Sequence, residues 1–209
     1  MGMKLTGLIV AAVLMAPNAS PQSAAGLYSC SVDARQSIYW PAIGETVTLR
    51  SELFGYKTFL PEGRQSLIFS DGHELVLGLG GTYMDDVSVG FAPSCDEYLS
   101  ASNGVTVASL SDDRTRAAAP FENMEALDAV RPSSSACAAD TSRYDRHGGL
   151  YCEQWDELNR NFADRSGTYR RLVAQRAPII AVPYSNYGVD YLAFDAEART
   201  IHPLFYSSG

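Results

Sequence analysis

The residues best suited to chemistry in this sequence are His147 and Asp145, within the stretch SRYDRHGGLYC. A histidine can act as a general base near neutral pH because its unperturbed pKa is about 6.5. A hydrolase built on such a base also needs a carboxylate that orients the ring and a serine that attacks the substrate. The chain has no GxSxG sequence to mark that serine. The stretch therefore supports a hydrolase that uses His147 only as an alternative function.

A second candidate site is the tyrosine-rich segment VPYSNYGVDY near the C-terminus. It brings Tyr184, Asn186 and Tyr187 close together in the chain. Tyrosine offers a large contact area and a hydroxyl at little cost in conformational entropy, and asparagine adds adaptable hydrogen bonding. This composition is typical of recognition surfaces and predicts a binding patch.

The four cysteines, Cys30, Cys95, Cys137 and Cys152, predict two disulfides. Four cysteines allow three pairings. We favour Cys137–Cys152 because the intervening loop is short and polar, which leaves Cys30–Cys95. The chain has no CxxC pair, so the cysteines do not predict a zinc site.

No metal site or cofactor is predicted from the remaining polar residues. His73 and Glu74 are adjacent, so on a strand they point to opposite faces, and they belong to no HExxH motif. Acidic doublets such as Asp85-Asp86 also diverge, and no calcium loop motif surrounds them. The segment GLGGTY lacks the spacing of a phosphate-binding loop.

The N-terminus reads as a secretory signal peptide over residues 1–25. Lys4 supplies the basic region, residues 5–16 the apolar region and residues 23–25 a small-residue cleavage site, so Gly26 would begin the mature chain. The apolar run is too short to span a bilayer comfortably. We expect a periplasmic or extracellular protein; a lipid anchor at Cys30, in LYSC, is the less favoured alternative.

The charge balance narrows the range of partners. The chain has 16 basic and 24 acidic residues, a net charge of −8. This excess of acid opposes binding to nucleic acid and to anionic membranes. Without a catalytic motif, the leading hypothesis is a non-enzymatic exported protein that binds an unknown protein or envelope component. The alternative is the exported hydrolase that uses His147.

Hydrophobic periodicity predicts strands in the first half of the chain. VTLRSELF alternates apolar and polar residues, as a half-buried strand does. Asp71-Gly72 predicts a hairpin with a two-residue type I′ turn, which would place Ile68 opposite Leu75 and His73 at the exposed tip. VSVGF and GVTVASL are read as further strands.

The second half predicts helices and a hairpin. An apolar stripe at helical spacing marks one amphipathic helix at about residues 150–163; its members are Tyr151, Trp155, Leu158 and Phe162. PFENMEAL predicts a short helix with Pro120 in its first turn. GVDYLAFDAEARTIHPLFY predicts a C-terminal hairpin, in which Pro203 favours an edge strand.

These elements predict an α+β, mostly β fold: a small antiparallel barrel or sandwich of short strands, with one amphipathic helix and a C-terminal hairpin. Residues 26–209 would form one disulfide-braced domain. Within it, residues 27–110 are β-rich, 111–148 form a long loop with a short helix, and 149–209 contain a helix and strands. The pattern GETVTLR…SLIFSDGHELVLG…GVTVASL resembles a five-stranded oligomer-binding (OB) barrel over less than half the chain. This resemblance implies no functional residues.

Overall fold

The computed structural model describes residues 32–54, 62–81, 95–111, 120–133, 136–137, 146–163, 166–185 and 188–208. The predicted signal peptide therefore lies outside the described residues. The strands are β1 (Val32–Trp40), β2 (Glu45–Phe54), β3 (Glu62–Ile68), β4 (Glu74–Gly81), β5 (Arg146–His147), β6 (Leu150–Tyr151), β7 (Ile179–Ser185), β8 (Gly188–Asp195) and β9 (Thr200–Ser208). The helices of six or more residues are α1 (Cys95–Leu110), α2 (Met124–Ala129), α3 (Cys152–Phe162) and α4 (Ser166–Ala174).

Strands β1 to β4 form the first sheet, an antiparallel meander in chain order. The alternation in VTLRSELF sets its two faces, as predicted. Val47 and Leu49 are buried on the inner face, whereas Arg50 lies on the opposite, outer face. Other inner-face residues are Ile38, Trp40, Leu67 and Leu77.

The β3–β4 hairpin exists as predicted, but its predicted register is wrong by one residue. Ile68 pairs with Glu74, and Leu67 pairs with Leu75. The backbone N–H of Gly72 donates to the carbonyl of Phe69 at 2.9 Å, and Gly72 has a φ of +84°. These features define a three-residue loop, in which a type I turn is followed by a left-handed glycine. A one-residue shift moves every side chain to the other face, so Glu74 lies on the outer face.

Strands β7, β8 and β9 form the second sheet, also an antiparallel meander, and both of its faces are buried. Ile180 and Phe194 pack toward the inner face of the first sheet. Ile179 and Ala193 pack on the opposite side, against α2, α3 and α4. The second sheet is therefore the middle of three layers, which explains why PIIAVPY is apolar at nearly every position.

The helical predictions are confirmed for α3 and α2. Helix α3 begins at Cys152 and ends at Phe162, and it buries Trp155, Leu158 and Phe162 against the second sheet. Asn123 caps α2 by accepting a hydrogen bond from the N–H of Ala126. Helix α4, which the sequence analysis did not predict, adds Tyr169 and Leu172 to the same core.

The prediction of a strand at GVTVASL is wrong, because these residues form the end of α1. Val105 packs against the helix-side core, whereas Val107 and Leu110 pack in the core between the sheets. A helix buried on several sides shows no amphipathic period, and its β-branched residues then resemble a strand. The described strands accordingly form an α+β sandwich with no closed barrel among them, and the resemblance to an OB barrel does not hold.

The edges of the second sheet are capped by helix side chains. On β9, Gln154 donates to the carbonyl of Tyr206 at 3.1 Å, and Asn161 donates to that of Leu204 at 3.0 Å. The N–H of Tyr206 donates to Glu157 at 3.1 Å. On β7, the N–H of Ala181 donates to the hydroxyl of Ser109 in α1. Backbone groups at these positions are therefore satisfied without a further strand.

Candidate functional site

His147 lies in a two-residue hairpin formed by β5 and β6, where it pairs with Leu150. Gly148 and Gly149 occupy the turn with φ values of +62° and +95°. Positive φ at both central residues is the signature of a type I′ turn. The side chain of His147 and the whole of Asp145 lie outside the described residues, so their proposed catalytic pairing stays a prediction.

Backbone conformation favours glycine at both positions of this turn, and packing also requires it at Gly148. A Cβ atom on Gly148 would lie 2.8 Å from the Cβ of Val130, at the end of α2, and closer still to its carbonyl oxygen. One on Gly149 would lie 3.6 Å from the ring of Phe121. The hairpin is therefore pressed against the α2 region. The guanidinium of Arg146 lies 4.6 Å from the ring centre of Tyr151, a cation–π contact across the hairpin.

The predicted tyrosine patch is only partly covered by the structure. Tyr184 belongs to β7 by its backbone, whereas its side chain, Asn186 and Tyr187 lie outside the described residues. At the same end of the sheet, Tyr206 pairs with Asp190 and its ring crosses Gly188, where a Cβ atom would collide with it. The glycine thus leaves room for a described tyrosine beside the predicted patch.

At this end of the sheet, Asp190 is an acid with a raised pKa. Partial burial raises the pKa of its carboxyl above the usual 3.8, and the negative charge of Glu157 raises it further. Perturbed carboxyls are enriched at functional sites, although structural clusters perturb them too. Asp190 faces the same side of the sheet as Leu192 and is only partly buried.

The cysteine prediction is confirmed for one pair. Cys137 and Cys152 form a disulfide with a Cα–Cα distance of 5.5 Å. Cys152 is the first residue of α3, so the bond attaches this helix to the preceding loop. Cys30 lies outside the described residues, and Cys95 is described by its backbone alone, so the Cys30–Cys95 pairing stays a prediction.

The sequence analysis missed a buried charged group at Asp195. Its side chain is fully buried, and its Oδ2 lies 2.5 Å from Nη1 of Arg171 in α4. Its Oδ1 accepts hydrogen bonds from the backbone N–H groups of Glu197 and Ala198. Burial raises the pKa of Asp195, but the N–H of Ala198 and the charge and hydrogen bond of Arg171 outweigh burial and hold the pKa below its usual value. An aspartate that begins a turn was the only signal in the sequence.

The surroundings of Asp195 do not form a catalytic triad. The Nε2 atom of His202 lies 3.8 Å from Oδ2 of Asp195 and 3.5 Å from the hydroxyl of Thr200. A triad needs the acid on one ring nitrogen and the nucleophile on the other. Because both groups approach the same nitrogen, the arrangement is structural: it joins α4 to the β8–β9 turn.

The outer face of the first sheet carries a network of ion pairs centred on Arg50. Nη2 of Arg50 lies 2.6 Å from Oε1 of Glu52 and 3.1 Å from Oδ2 of Asp33. Glu74 lies 3.9 Å from Nη1 of Arg50 and 3.4 Å from Nη2 of Arg64. The bond to Arg50 lowers the pKa of the exposed Asp33 carboxyl, so this acid is charged near neutral pH. The face therefore presents fixed charges of both signs.

Tyr39 stands at one end of this outer face, on β1. It pairs with Thr46 and is 60% exposed, more than any other large hydrophobic residue in the described part of the chain. Val76, on β4, is also exposed on this face. An ordered charged surface that ends in an exposed tyrosine is the best-defined candidate for recognition in the described structure.

Comparisons with known proteins identify no relative: no family model, no curated protein and no solved structure matches the chain. Within the described residues, no cluster of histidine, cysteine, aspartate or glutamate could hold a metal ion. None of the described helices has both the length and the apolar character needed to cross a membrane. The site must therefore be interpreted from its own chemistry.

Proposed function

We propose that the protein is an exported, non-enzymatic binding protein that recognises a protein or another component of the cell envelope. The observation that carries this proposal is the outer face of the first sheet, which carries both the ion-pair network of Arg50 and, at one end, the exposed Tyr39. Tyrosine and arginine are, with tryptophan, the side chains most enriched among the residues that dominate protein interfaces. The proposal thus places recognition on a rigid sheet.

The ion pairs that hold the charged side chains of the outer face in place support this role. Arg50 and Arg64 are held by carboxylates of the same sheet, so a partner would meet side chains that have already lost rotational freedom. Binding then costs less conformational entropy than it would for mobile side chains. Charges of both signs also favour one orientation of a partner over others.

Export is supported by the signal-like N-terminus and by the Cys137–Cys152 disulfide. Disulfides persist in oxidising compartments and are rare in the reducing cytosol. An exposed tyrosine on a disulfide-braced scaffold fits a protein that meets its partner outside the cytoplasm.

The test is capture of a partner from envelope extracts by the immobilised protein, with two matched variants. Tyr39→Ser removes the exposed tyrosine from the outer face. Val130→Ser removes the 39%-exposed valine after α2, on the helical side of the molecule. We expect wild type and Val130→Ser to retain the same specific partner, and Tyr39→Ser to lose most of it. Capture of nothing specific, or equal capture by all three proteins, would contradict the proposal.

A further inference from the structure

Strand β1 forms one edge of the first sheet. Among the described residues it pairs with β2 alone, because the sheet order is β1-β2-β3-β4. Asp33, Arg35, Gln36 and Ser37 are all exposed, although neighbouring residues point to opposite faces. This half of β1 therefore has exposed side chains on both faces, and no described strand pairs with its outward edge. An edge of this kind can pair with another strand.

The charges on this half of β1 are self-complementary. Asp33 and Arg35 point to the outer face on either side of Ala34, and their side chains are 45% and 58% exposed. If a second β1 strand lies antiparallel with its Ala34 opposite the first Ala34, Asp33 of each copy faces Arg35 of the other. Two ion pairs then form across a twofold axis, the symmetry of most dimers.

The same charges disfavour neighbouring twofold registers. Moving the axis by one residue toward the N-terminus places Asp33 opposite Asp33 of the second copy. Moving it one residue the other way places Arg35 opposite Arg35. Like charges directly opposite each other destabilise a strand pair, whereas opposite charges stabilise it. Of these three registers, only the one centred on Ala34 gives attraction at both charged positions.

We propose that this edge binds a second copy of the chain, with the two β1 strands antiparallel and centred on Ala34. The two first sheets then form one continuous sheet of eight strands. Asp33 already accepts hydrogen bonds from Arg50, so Arg35 of the second copy joins the ion-pair network of the outer face. This self-association does not depend on the envelope partner proposed above.

The contact between the strands is short, because it uses the described residues 32–36 of each copy. Interfaces of limited area belong to weak and transient complexes, so the dimer forms in a concentration-dependent way. Charged residues on an edge strand can also serve the opposite purpose, namely to prevent pairing. The two roles predict different behaviour of charge-reversed variants.

The experiment is analytical ultracentrifugation of the purified protein and of two single variants, Asp33→Arg and Arg35→Asp. Each variant places like charges opposite each other twice in the proposed register, so we expect its homodimer to be about tenfold weaker or more. An equimolar mixture of the two variants restores both attractive pairs. We therefore expect the mixture to associate at least as strongly as wild type.

Arg35→Asp is the cleaner single variant, because Arg35 makes only an exposed contact of 3.6 Å to Asp33. Circular dichroism of each variant checks that it is folded before mixing. A wild type that stays monomeric at its highest soluble concentration would overturn the proposal and assign the charges to protection of the edge. A dimer that neither variant weakens, or a mixture that does not associate, would overturn it as well.

Discussion

At the scale of single residues, Gly148 occupies a position that other amino acids fit poorly. Its φ of +62° is unfavourable for residues with a Cβ atom, and that atom would also press against Val130. We expect Gly148→Ala to destabilise the protein by about 2 kcal/mol or more from these two effects. The free energy of unfolding in urea measures this loss.

The matched control is Gly104→Ala. Gly104 lies inside α1 and would place its Cβ in open space. Alanine favours a helix over glycine by up to about 1 kcal/mol, so this variant should be unchanged or more stable than wild type. Equal losses in both variants would show that the turn conformation of Gly148 is not the cause.

The contributions of Asp195 and Asp190 to the free energy of unfolding should change with pH in opposite directions. The folded-state pKa of Asp195 is lowered, so its contribution is complete above the unfolded value near 3.8 and is lost as pH falls through the folded value. The pKa of Asp190 is raised, so ionisation of this carboxyl opposes folding once pH exceeds the unfolded value.

Asn substitutions separate these two effects. Asp195→Asn should cost about 2 kcal/mol at pH 7, because charge-assisted hydrogen bonds to a buried group are lost, and its deficit should shrink below pH 4. Asp190→Asn should stabilise the protein at pH 7, with a gain that disappears in acid. Urea unfolding between pH 3 and pH 7 measures both. A gain for Asp195→Asn at pH 7 would contradict the assigned charge state.

At the scale of elements, sequence periodicity predicted the helix that has a single buried face, α3. The C-terminal hairpin was predicted from the turn residues between its two strands, because both faces of the second sheet are buried. Helix α1 was misread because it is buried on several sides, so Val105 and Val107 lie against different cores. The β3–β4 register was misread because Asp71-Gly72 is compatible with both loop lengths, and only Gly72 needs a positive φ here.

The candidate sites were less predictable than the fold. The buried carboxylate of Asp195 is paired with Arg171, which is distant in sequence, so the local sequence around Asp195 does not predict this ion pair. The ion pairs around Arg50 likewise join three strands. Composition singled out the tyrosine-rich segment and His147 only as residue types, because convergence of side chains is a property of tertiary structure.

The side chains of α3 that cap β9 give a prediction at the element scale. Gln154 accepts a hydrogen bond from the N–H of Tyr151 and donates one to the carbonyl of Tyr206. Gln154→Leu keeps the volume but leaves both backbone groups without this partner, so we expect a loss of about 2 kcal/mol and faster hydrogen exchange at Tyr151. Glu153→Leu, at an exposed neighbouring position, should change stability by less than about 0.5 kcal/mol. Similar losses in the two variants would argue against edge capping.

At the scale of the whole molecule, the second sheet connects the two cores, and Arg199 fastens it to the first sheet. Arg199 is the last residue of the turn between β8 and β9 and lies 2.8 Å from Asp71 and 3.5 Å from Glu45. Its guanidinium also lies 4.7 Å from the ring centre of Phe69. The tip of the β3–β4 hairpin in the first sheet is thus held by the β8–β9 turn of the second sheet. These contacts favour a fixed position of the first sheet, and of its outer face, relative to the second sheet.

The Cys137–Cys152 disulfide links this architecture to the proposed export. Its residues are 15 apart, and closing a loop of that size stabilises by about 3 kcal/mol in the chain-entropy model. Protein expressed with its leader should be recovered from the periplasm or medium, beginning at Gly26 and with this disulfide formed. A form that lacks residues 1–25 and is made in a reducing cytoplasm should contain the free thiols and be less stable by about that amount.

Intact-mass analysis with thiol labelling determines where the recovered protein begins and whether the disulfide has formed, and urea unfolding measures the stability of each form. Retention of Met1 in the recovered protein would contradict export with cleavage before Gly26. Equal stability of the oxidised and reduced forms would contradict stabilisation of the fold by the disulfide.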